Sequence, residues 1–109
     1  MYYVIAVINE ESLDDVVGAL LENQIFGISI SEIRGFGNLR LPKDFDHVDL
    51  HRKAKLEIAV SNDHFRELTV DLIMKHANNG KAGAGKIFVL DMKEVYRVRT
   101  GEAGAQALN

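Results

Sequence analysis

The chain has 109 residues, enough for one domain, and its 47% hydrophobic and 27% charged residues are typical of a folded globular protein. It has no cysteine, which excludes disulfides and thiolate metal sites, and its net charge of −3 argues against a general nucleic-acid binder. No apolar run reaches the roughly 18 residues of a membrane span, and the N-terminus lacks the features of a signal peptide. We therefore expect a single cytoplasmic domain over residues 1–109.

The first half of the chain predicts a strand, a helix and a second strand. Residues 2–8 are continuously apolar and predict a strand that is covered on both faces. Ser12 is predicted to cap a helix, with Asp15 three residues later as an approximate capping box. The predicted core stripe of that helix follows at i, i+3, i+4, i+7 and i+8: Leu13, Val16, Val17, Leu20 and Leu21. After a glycine, residues 28–35 predict the second strand.

The second half begins with a polar stretch, residues 38–52, and a loop of that length in a small domain is typically functional or disordered. A strand is predicted from Lys55 to residue 60, followed by a helix that Asn62 caps. The core stripe of this helix is predicted to contain Phe65, Leu68, Leu72 and Ile73. Residues 87–90 predict a fourth strand and residues 95–100 a short fifth one, before a small-residue tail at 101–109.

This order of elements is βαββαβ with a short extra strand. Two split βαβ units that pack two helices on one face of an antiparallel sheet form the ferredoxin-like α+β sandwich. The second face of the sheet must also be covered, because the first strand is apolar throughout. With only two helices available, oligomerisation is the expected way to cover it.

The stretch from Gly80 to Lys86 fits the phosphate-loop pattern G-x-x-x-x-G-K, but Ile87 stands where a Ser or Thr would reach a magnesium ion. A true P-loop leaves a strand and opens a helix, whereas here a predicted helix precedes the loop and a strand follows it. Two interpretations stay open. The loop is an anion-binding nest of backbone amides with Lys81 and Lys86 beside it, or a helix C-cap at Gly80 followed by a turn.

Two pairs of charged residues are further candidates. In a strand over residues 95–100, Arg97 and Arg99 would share one face at a separation of roughly 6.5 Å, which suits two phosphates. The alternative is a pair of solvated charges at a sheet edge. Lys55 and Glu57 share one face of a strand that should be central, so they require a ligand or each other. Gly35 and the glycine two residues later offer a close backbone approach or form a simple turn.

These features occur together in one family. The carrying stretches are GISISEIRGFG at 27–37, KAKLEI at 53–58, GKAGAGKIFV at 80–89 and RVRTGE at 97–102. The chain resembles the PII signal-transduction proteins over nearly its whole length. The resemblance implies a homotrimer with ATP or ADP in the three clefts between subunits, and a regulator rather than an enzyme. Residues 38–52 occupy the place of the family's T-loop, which reports the bound ligand to a regulated membrane transporter or enzyme.

The resemblance also assigns candidate nucleotide-binding residues. Phosphates would be held in one subunit by Gly83, Ala84, Gly85 and Lys86, and from the neighbouring subunit by Arg97 and Arg99. The adenosine would be lined by Val7, Gly35, Phe36, Gly37 and Ala59, and met from the neighbour by Ser29 and Glu57. Lys53 would lie near the outer phosphates, where it could distinguish ATP from ADP.

The chain departs from the family pattern in the loop. Leu39 stands where a glutamine usually helps to bind magnesium and 2-oxoglutarate, and Ala84 replaces the usual aspartate of the phosphate loop. Residues 38–52 contain no tyrosine that could be nucleotidylated. We therefore expect nucleotide binding without the usual 2-oxoglutarate response, and the need for magnesium stays open. Bicarbonate beside the phosphates is a candidate second effector.

Two other classes of function remain. Carboxylates and imidazoles suit a divalent transition metal, and the loop carries Asp44, Asp46, His47, Asp49 and His51. The alternative function is therefore a trimeric metal-binding protein of the same fold. If these residues bind no metal, they form a solvated, charged loop. Arg97, Arg99 and the glycine-rich loop favour the nucleotide, because a metal protein has no use for that cationic set. An enzyme is not expected, since no nucleophile–base pair is visible.

Overall fold

The computed structural model describes residues 1–35 and 50–108. In these ranges the helices and strands are, in chain order, β1 (Tyr2–Asn9), α1 (Leu13–Glu22), β2 (Ile28–Gly35), β3 (His51–Val60), α2 (Asp63–Ala77) and β4 (Gly85–Asp91). Short 3-10 helices cover Glu10–Ser12 and Gly104–Leu108. The predicted βαββαβ order is confirmed. No helix in the described ranges is long and apolar enough to cross a bilayer.

The four strands form one antiparallel sheet in the order β2-β3-β1-β4. The two central strands, β1 and β3, pair along their whole shared length, from Tyr2 opposite Val60 to Asn9 opposite Lys53. The edge strand β4 runs beside β1, with Gly85 opposite Ile8. This topology is the predicted ferredoxin-like sandwich.

One face of the sheet is covered by the two helices and forms the core. Every second residue of the central strands points toward the helices, because strand side chains alternate between faces. These residues are Val4, Ala6, Ile8, Ala54, Leu56 and Ile58, each at most 1% exposed. The helices contribute Val16, Leu20 and Ile73 to the same cluster. Dense apolar packing of this kind holds the two central strands in fixed positions.

The opposite face, which we call the open face, carries the alternate residues of all four strands. Its central members Tyr3, Ile5 and Val7 are only half-buried, so a single chain does not cover β1 on both faces as its sequence predicts. Lys55 and Glu57 lie in the middle of this face, opposite Val7 and Ile5. Assembly through the open face therefore stays a prediction.

The predicted N-terminal cap is present in α2 but not in α1. Asn62 caps α2 as predicted, since its side chain accepts a hydrogen bond from the Phe65 amide at 2.9 Å. The predicted cap at Ser12 is wrong, and its side chain makes no capping hydrogen bond. The residue ends a 3-10 helix and has helical dihedrals, whereas an N-cap needs an extended backbone. Leu21 is 47% exposed and lies at the margin of the predicted core stripe.

Two strand predictions require correction. The strand predicted from Lys55 begins at His51, so the last two residues of the 38–52 segment pair with β2. The strand predicted for residues 95–100 is wrong. Only Tyr96 bridges to Ala103, because Gly101 adopts a positive φ of 74° and its amide bonds back to Arg97 at 2.8 Å. The segment is a small hairpin, in which Arg97 and Arg99 do not share the face of a strand.

Candidate functional site

The glycine-rich loop connects α2 to β4 and is shaped by positive φ angles. Gly80, Gly83 and Gly85 have φ values of 72°, 84° and 133°, a region that other residues rarely enter. The side chains of Asn78 and Asn79 accept hydrogen bonds from the amides of Gly80 and Lys81, each at 2.9 Å. The loop amides left for an anionic ligand therefore begin at residue 82.

The end of α2 tests the interpretation that Gly80 is the C-cap of the helix. The helix ends at Ala77, and Asn78 is its C-cap, so Gly80 is not the cap. The order helix, loop, strand is confirmed, and it excludes a P-loop, in which the anion lies at the start of a helix.

Gly85 fixes the position of the loop against β1. A Cβ atom at this residue would lie 2.1 Å from the carbonyl oxygen of Val7, closer than any real contact. The backbone of the loop therefore touches the backbone of the central strand, and only glycine permits that approach. Lys86, the next residue, pairs with Val7 and points to the open face.

Lys53 joins three elements at this end of the sheet. Its Nζ atom donates to the Asn9 side-chain oxygen across the β1–β3 pair, and to the Gly83 carbonyl at 2.6 Å. An ammonium group has three N–H donors, so these two bonds set its direction and leave one donor for a ligand. The side chain is held at the junction of β1, β3 and the glycine-rich loop, where a strand end meets backbone amides.

A shallow groove adjoins Lys53 on the β2 side. Its lining includes Glu10, Glu32, Arg34 and Arg52. Arg34 and Arg52 lie directly opposite each other on β2 and β3, and Glu10 and Glu32 bring opposite charge to the same groove. The groove therefore carries charges of both signs beside Lys53.

The centre of the open face carries a polar row on the central strands. The Tyr3 hydroxyl donates to Glu57, whose carboxylate also lies 3.4 Å from the Lys55 ammonium. The hydrogen bond from Tyr3, together with Lys55, lowers the pKa of Glu57 below its usual value, so the carboxylate is ionised. The same hydrogen bond, and partial burial, raise the pKa of Tyr3 above 10.0. The ion pair considered for Lys55 and Glu57 is present, and Tyr3 is an additional partner.

Most of the predicted site residues in the described ranges lie on or beside the open face. Strand pairing places Ser29 opposite Glu57, and Lys53 two residues before Lys55 on the same face. The members of this set are Val7, Ser29, Gly35, Lys53, Glu57, Ala59 and Lys86. The loop residues Gly83, Ala84 and Gly85 follow at the edge, and Gly83 contacts Lys53.

The two predicted arginines belong to the C-terminal hairpin. Arg97 forms an ion pair with Glu102 at 3.1 Å and donates to the carbonyls of Gln106 and Ala107. Arg99 is exposed in the turn. The two side chains therefore differ in environment, although the sequence predicts an equivalent pair.

Several predicted residues lie outside the described ranges. These are the nucleotide-site candidates Phe36 and Gly37, the substituted Leu39, and the loop residues Asp44, Asp46, His47 and Asp49. His51 begins β3. Within residues 1–35 and 50–108, no three histidines or carboxylates are grouped as metal ligands.

Asn9 and Tyr3 were not foreseen as parts of the site. Each owes its contact to strand register, which pairs Asn9 with Lys53 and brings Tyr3 beside Glu57. One local signal was present, since Asn9 is the polar residue that ends an otherwise apolar strand. Register itself depends on residues far apart in the chain and cannot be read from either strand alone.

Comparison with known proteins gives consistent matches over nearly the whole chain. The family model of nitrogen regulatory protein P-II matches residues 1–102. Nitrogen regulatory protein GlnK of Escherichia coli (strain K12) is 36% identical over 118 residues, which cover 99% of this chain and 100% of the relative. Nitrogen regulatory protein P-II of Klebsiella oxytoca is 39% identical over 113 residues, covering 94% of this chain and 96% of the relative. P-II 1 of Escherichia coli (strain K12) has the same identity and coverage.

Proposed function

Because this chain belongs to the nitrogen regulatory protein P-II family, a family of regulatory signal-transduction proteins, we propose that it senses adenine nucleotides. ATP or ADP would bind where the glycine-rich loop meets the open face of the sheet. The bound nucleotide would be signalled to a partner, a membrane transporter or an enzyme, through residues 38–52.

The observation that supports this proposal is the geometry around Lys53. Two neutral oxygens, from Asn9 and Gly83, orient the ammonium group without neutralising its charge. The third N–H donor can then meet an anionic oxygen, and hydrogen bonds between charged groups are roughly twice as strong as neutral ones. The loop amides from residue 82 onward add further donors, as in an anion nest. A phosphate group suits this combination.

Nucleotide discrimination would follow from the same side chain. ATP and ADP differ in the terminal phosphate, and a ligand shifts a conformational equilibrium only through contacts that differ between its states. Lys53 lies two residues after the start of β3 and immediately follows the segment 38–52 in the chain. A contact made by ATP alone at Lys53 would therefore act at the root of that segment.

The arginines would come from a neighbouring chain. Lys53 and the glycine-rich loop lie at the end of the sheet where Ile8 pairs with Gly85, whereas the chain leaves β4 for Arg97 at the opposite end, where Tyr2 pairs with Asp91. A homotrimer that packs through the half-buried open face would let one chain's arginines approach another chain's loop. Trimerisation is thus part of the proposal, since the site is incomplete without it.

The second effector is proposed to differ from 2-oxoglutarate. Leu39 offers no oxygen to a magnesium ion, which requires near-octahedral oxygen ligands. We expect saturating 2-oxoglutarate with magnesium to change ATP affinity by less than about threefold, a coupling below roughly 0.7 kcal/mol. Titration of ATP with and without both additions measures this, and a tenfold tightening would contradict it. Bicarbonate is the second addition to test in the same titration.

The proposed function is tested by calorimetric titration with ADP and ATP. We expect micromolar binding, about −8 kcal/mol. Lys53→Ala should weaken ATP binding by about 1.5–3 kcal/mol, because a charged hydrogen bond is lost. Lys93→Ala is the matched control, since it removes an exposed lysine elsewhere. Equal ATP affinity in the two variants, or no nucleotide binding by the unchanged protein, would contradict the proposal.

A further inference from the structure

The guanidinium group of Arg97 is fastened to the chain's own C-terminal residues. Nη1 donates to the Glu102 carboxylate at 3.1 Å. Nη2 donates to the carbonyl oxygens of Gln106 and Ala107 at 3.3 and 3.4 Å. We call residues 105–108, the last four residues of the C-terminal 3-10 helix, the tail segment. The same side chain is thus a proposed phosphate ligand and the anchor of this segment.

The hairpin that carries Arg97 is held by other bonds. The Arg97 amide donates to the Glu102 carbonyl at 2.8 Å, and the Gly104 amide donates to Val95 at 3.0 Å. Gly101 closes the turn on the Arg97 carbonyl at 2.8 Å. These backbone bonds do not use the guanidinium group. The tail segment can therefore leave Arg97 without opening the hairpin.

The two kinds of acceptor differ in strength. N–H···O bonds are most often about 2.9–3.0 Å long, so the bonds from Nη2 to the tail carbonyls are long. Phosphate oxygens are charged and form shorter, often bidentate bonds with a guanidinium group. The tail is at an advantage in being part of the same chain, which gives it a high effective concentration. The tail carbonyls and a phosphate group can therefore compete for the same N–H donors of Arg97.

We propose that the tail segment is an intramolecular competitor of the nucleotide phosphates for the Nη2 edge of Arg97. Nη2 has two N–H groups, and the two tail carbonyls accept from it, so a phosphate must displace them. The inference rests on the proposed nucleotide site. Its consequence is reciprocal: the tail weakens nucleotide binding by the same factor by which the nucleotide weakens the tail's attachment. The tail segment then reports the bound ligand at a place remote in sequence from residues 38–52.

Two measurements test this, both on the full protein. The first is ADP affinity by calorimetry. A stop codon at position 106 removes both tail carbonyls and should tighten ADP binding at least threefold. Glu102→Gln, which weakens the hold on Nη1, should tighten it by a smaller factor. Glu94→Gln is the matched control, because it removes a carboxylate of the same hairpin region that bonds to Tyr96 instead.

The second measurement follows the tail directly. The chain has no cysteine, so Ala105→Cys provides a single labelling site at an exposed residue. We expect the anisotropy of a dye at this site to fall when ADP is added, and to be low without ADP when Arg97→Ala is combined with the label. Thermal unfolding of each variant confirms that the fold is retained.

The possible outcomes separate the two proposals. If ADP binds with the same affinity to the unchanged and truncated proteins and the dye signal stays constant, the competition is refuted while the nucleotide site stands. If ADP binds to none of the proteins, the proposed function fails and the competition fails with it. Tighter binding by the truncated protein together with ADP-dependent release of the label supports both.

Discussion

The two faces of the sheet carry side chains from the same four strands but differ in how the chain completes them. Along the central strands the helix face is apolar and closed, with Val4, Leu56 and Ile58 fully buried. The open face mixes half-buried apolar residues with the row formed by Tyr3, Lys55 and Glu57. The helix face therefore determines the stability of the subunit. The open face has apolar area and charged groups that remain available for a neighbouring chain or a ligand.

The largest expected effect tests the closed face. Leu56→Ala should reduce the free energy of unfolding by about 2–5 kcal/mol, because it leaves a cavity among well-packed neighbours. Ser31→Ala, an exposed open-face position on β2, should change it by less than about 0.5 kcal/mol. Urea denaturation measures both. Similar losses for the two variants would remove the distinction between the faces.

The next prediction concerns assembly through the open face. Phe88→Glu should convert a trimer to smaller species, since it places a charge in an interface that would be dry. Val89→Glu is the control: its exposure, 43% against 48% for Phe88, is similar, but it points to the helix side of the same edge strand. Light scattering measures the molar mass of each. A monomeric unchanged protein, or equal masses for both variants, would refute assembly by this face.

A smaller effect is expected where the open face meets the glycine-rich loop. Asn9→Ala removes one of the two oxygens that orient Lys53 and should weaken ATP binding by about 1 kcal/mol, the value of an ordinary hydrogen bond. Asn23→Ala removes a comparable bond, from its side chain to Ala19 at the end of α1, and should leave ATP binding unchanged. Calorimetry compares the two, and equal affinities would show that Lys53 does not depend on Asn9.

The smallest predicted effect is a pH dependence of the open face. The pKa of Tyr3 is raised in the folded protein by its hydrogen bond to Glu57, so the stability it contributes is complete below pH 10 and is lost as the pH rises further. The pKa of Glu57 is lowered, so its contribution is present above its usual pKa and is lost as the pH falls through the folded value. Tyr3→Phe should flatten both limbs.

Thermal midpoints measured between pH 3 and 11 test this pair. Tyr2, whose hydroxyl donates to Asp63 and whose pKa is also raised, serves as the control, because Tyr2→Phe removes a comparable hydrogen bond without touching Glu57. An unchanged acid limb in Tyr3→Phe would show that the tyrosine does not affect Glu57.

The fold was predictable because its signals are local and agree with one another. The apolar run of β1, the Asn62 cap and the periodicity of α2 each indicate one element within a few residues. The prediction of a fifth strand was wrong because it relied on the alternating pattern of residues 95–100 and gave too little weight to Gly101. The positive φ of Gly101 turns the chain. A glycine one residue beyond an apparent strand is a signal for a turn, and it was available in the sequence.

The candidate site was only partly predictable. The glycine-rich loop and Lys53 could be selected from residue types and from the family resemblance, but their contact could not. It depends on the register of β1 with both β3 and β4, which the buried apolar pattern fixes across distant segments. The hydrogen bonds of Arg97 to Glu102 and Gln106 likewise depend on a hairpin, and the alternating pattern of residues 95–100 predicts a strand there instead.

Gly85 has a consequence for natural variation. The carbonyl of Val7 occupies the space of any side chain at this position, and the backbone there has a φ of 133°. Every single-nucleotide change that alters a glycine codon's amino acid introduces at least a Cβ atom. No mild substitution is therefore within reach of mutation, and variants at this codon are expected to be removed by selection rather than to drift. Resequencing a randomised population after selection for function should leave position 85 as glycine, while the exposed Ala82 in the same loop diversifies.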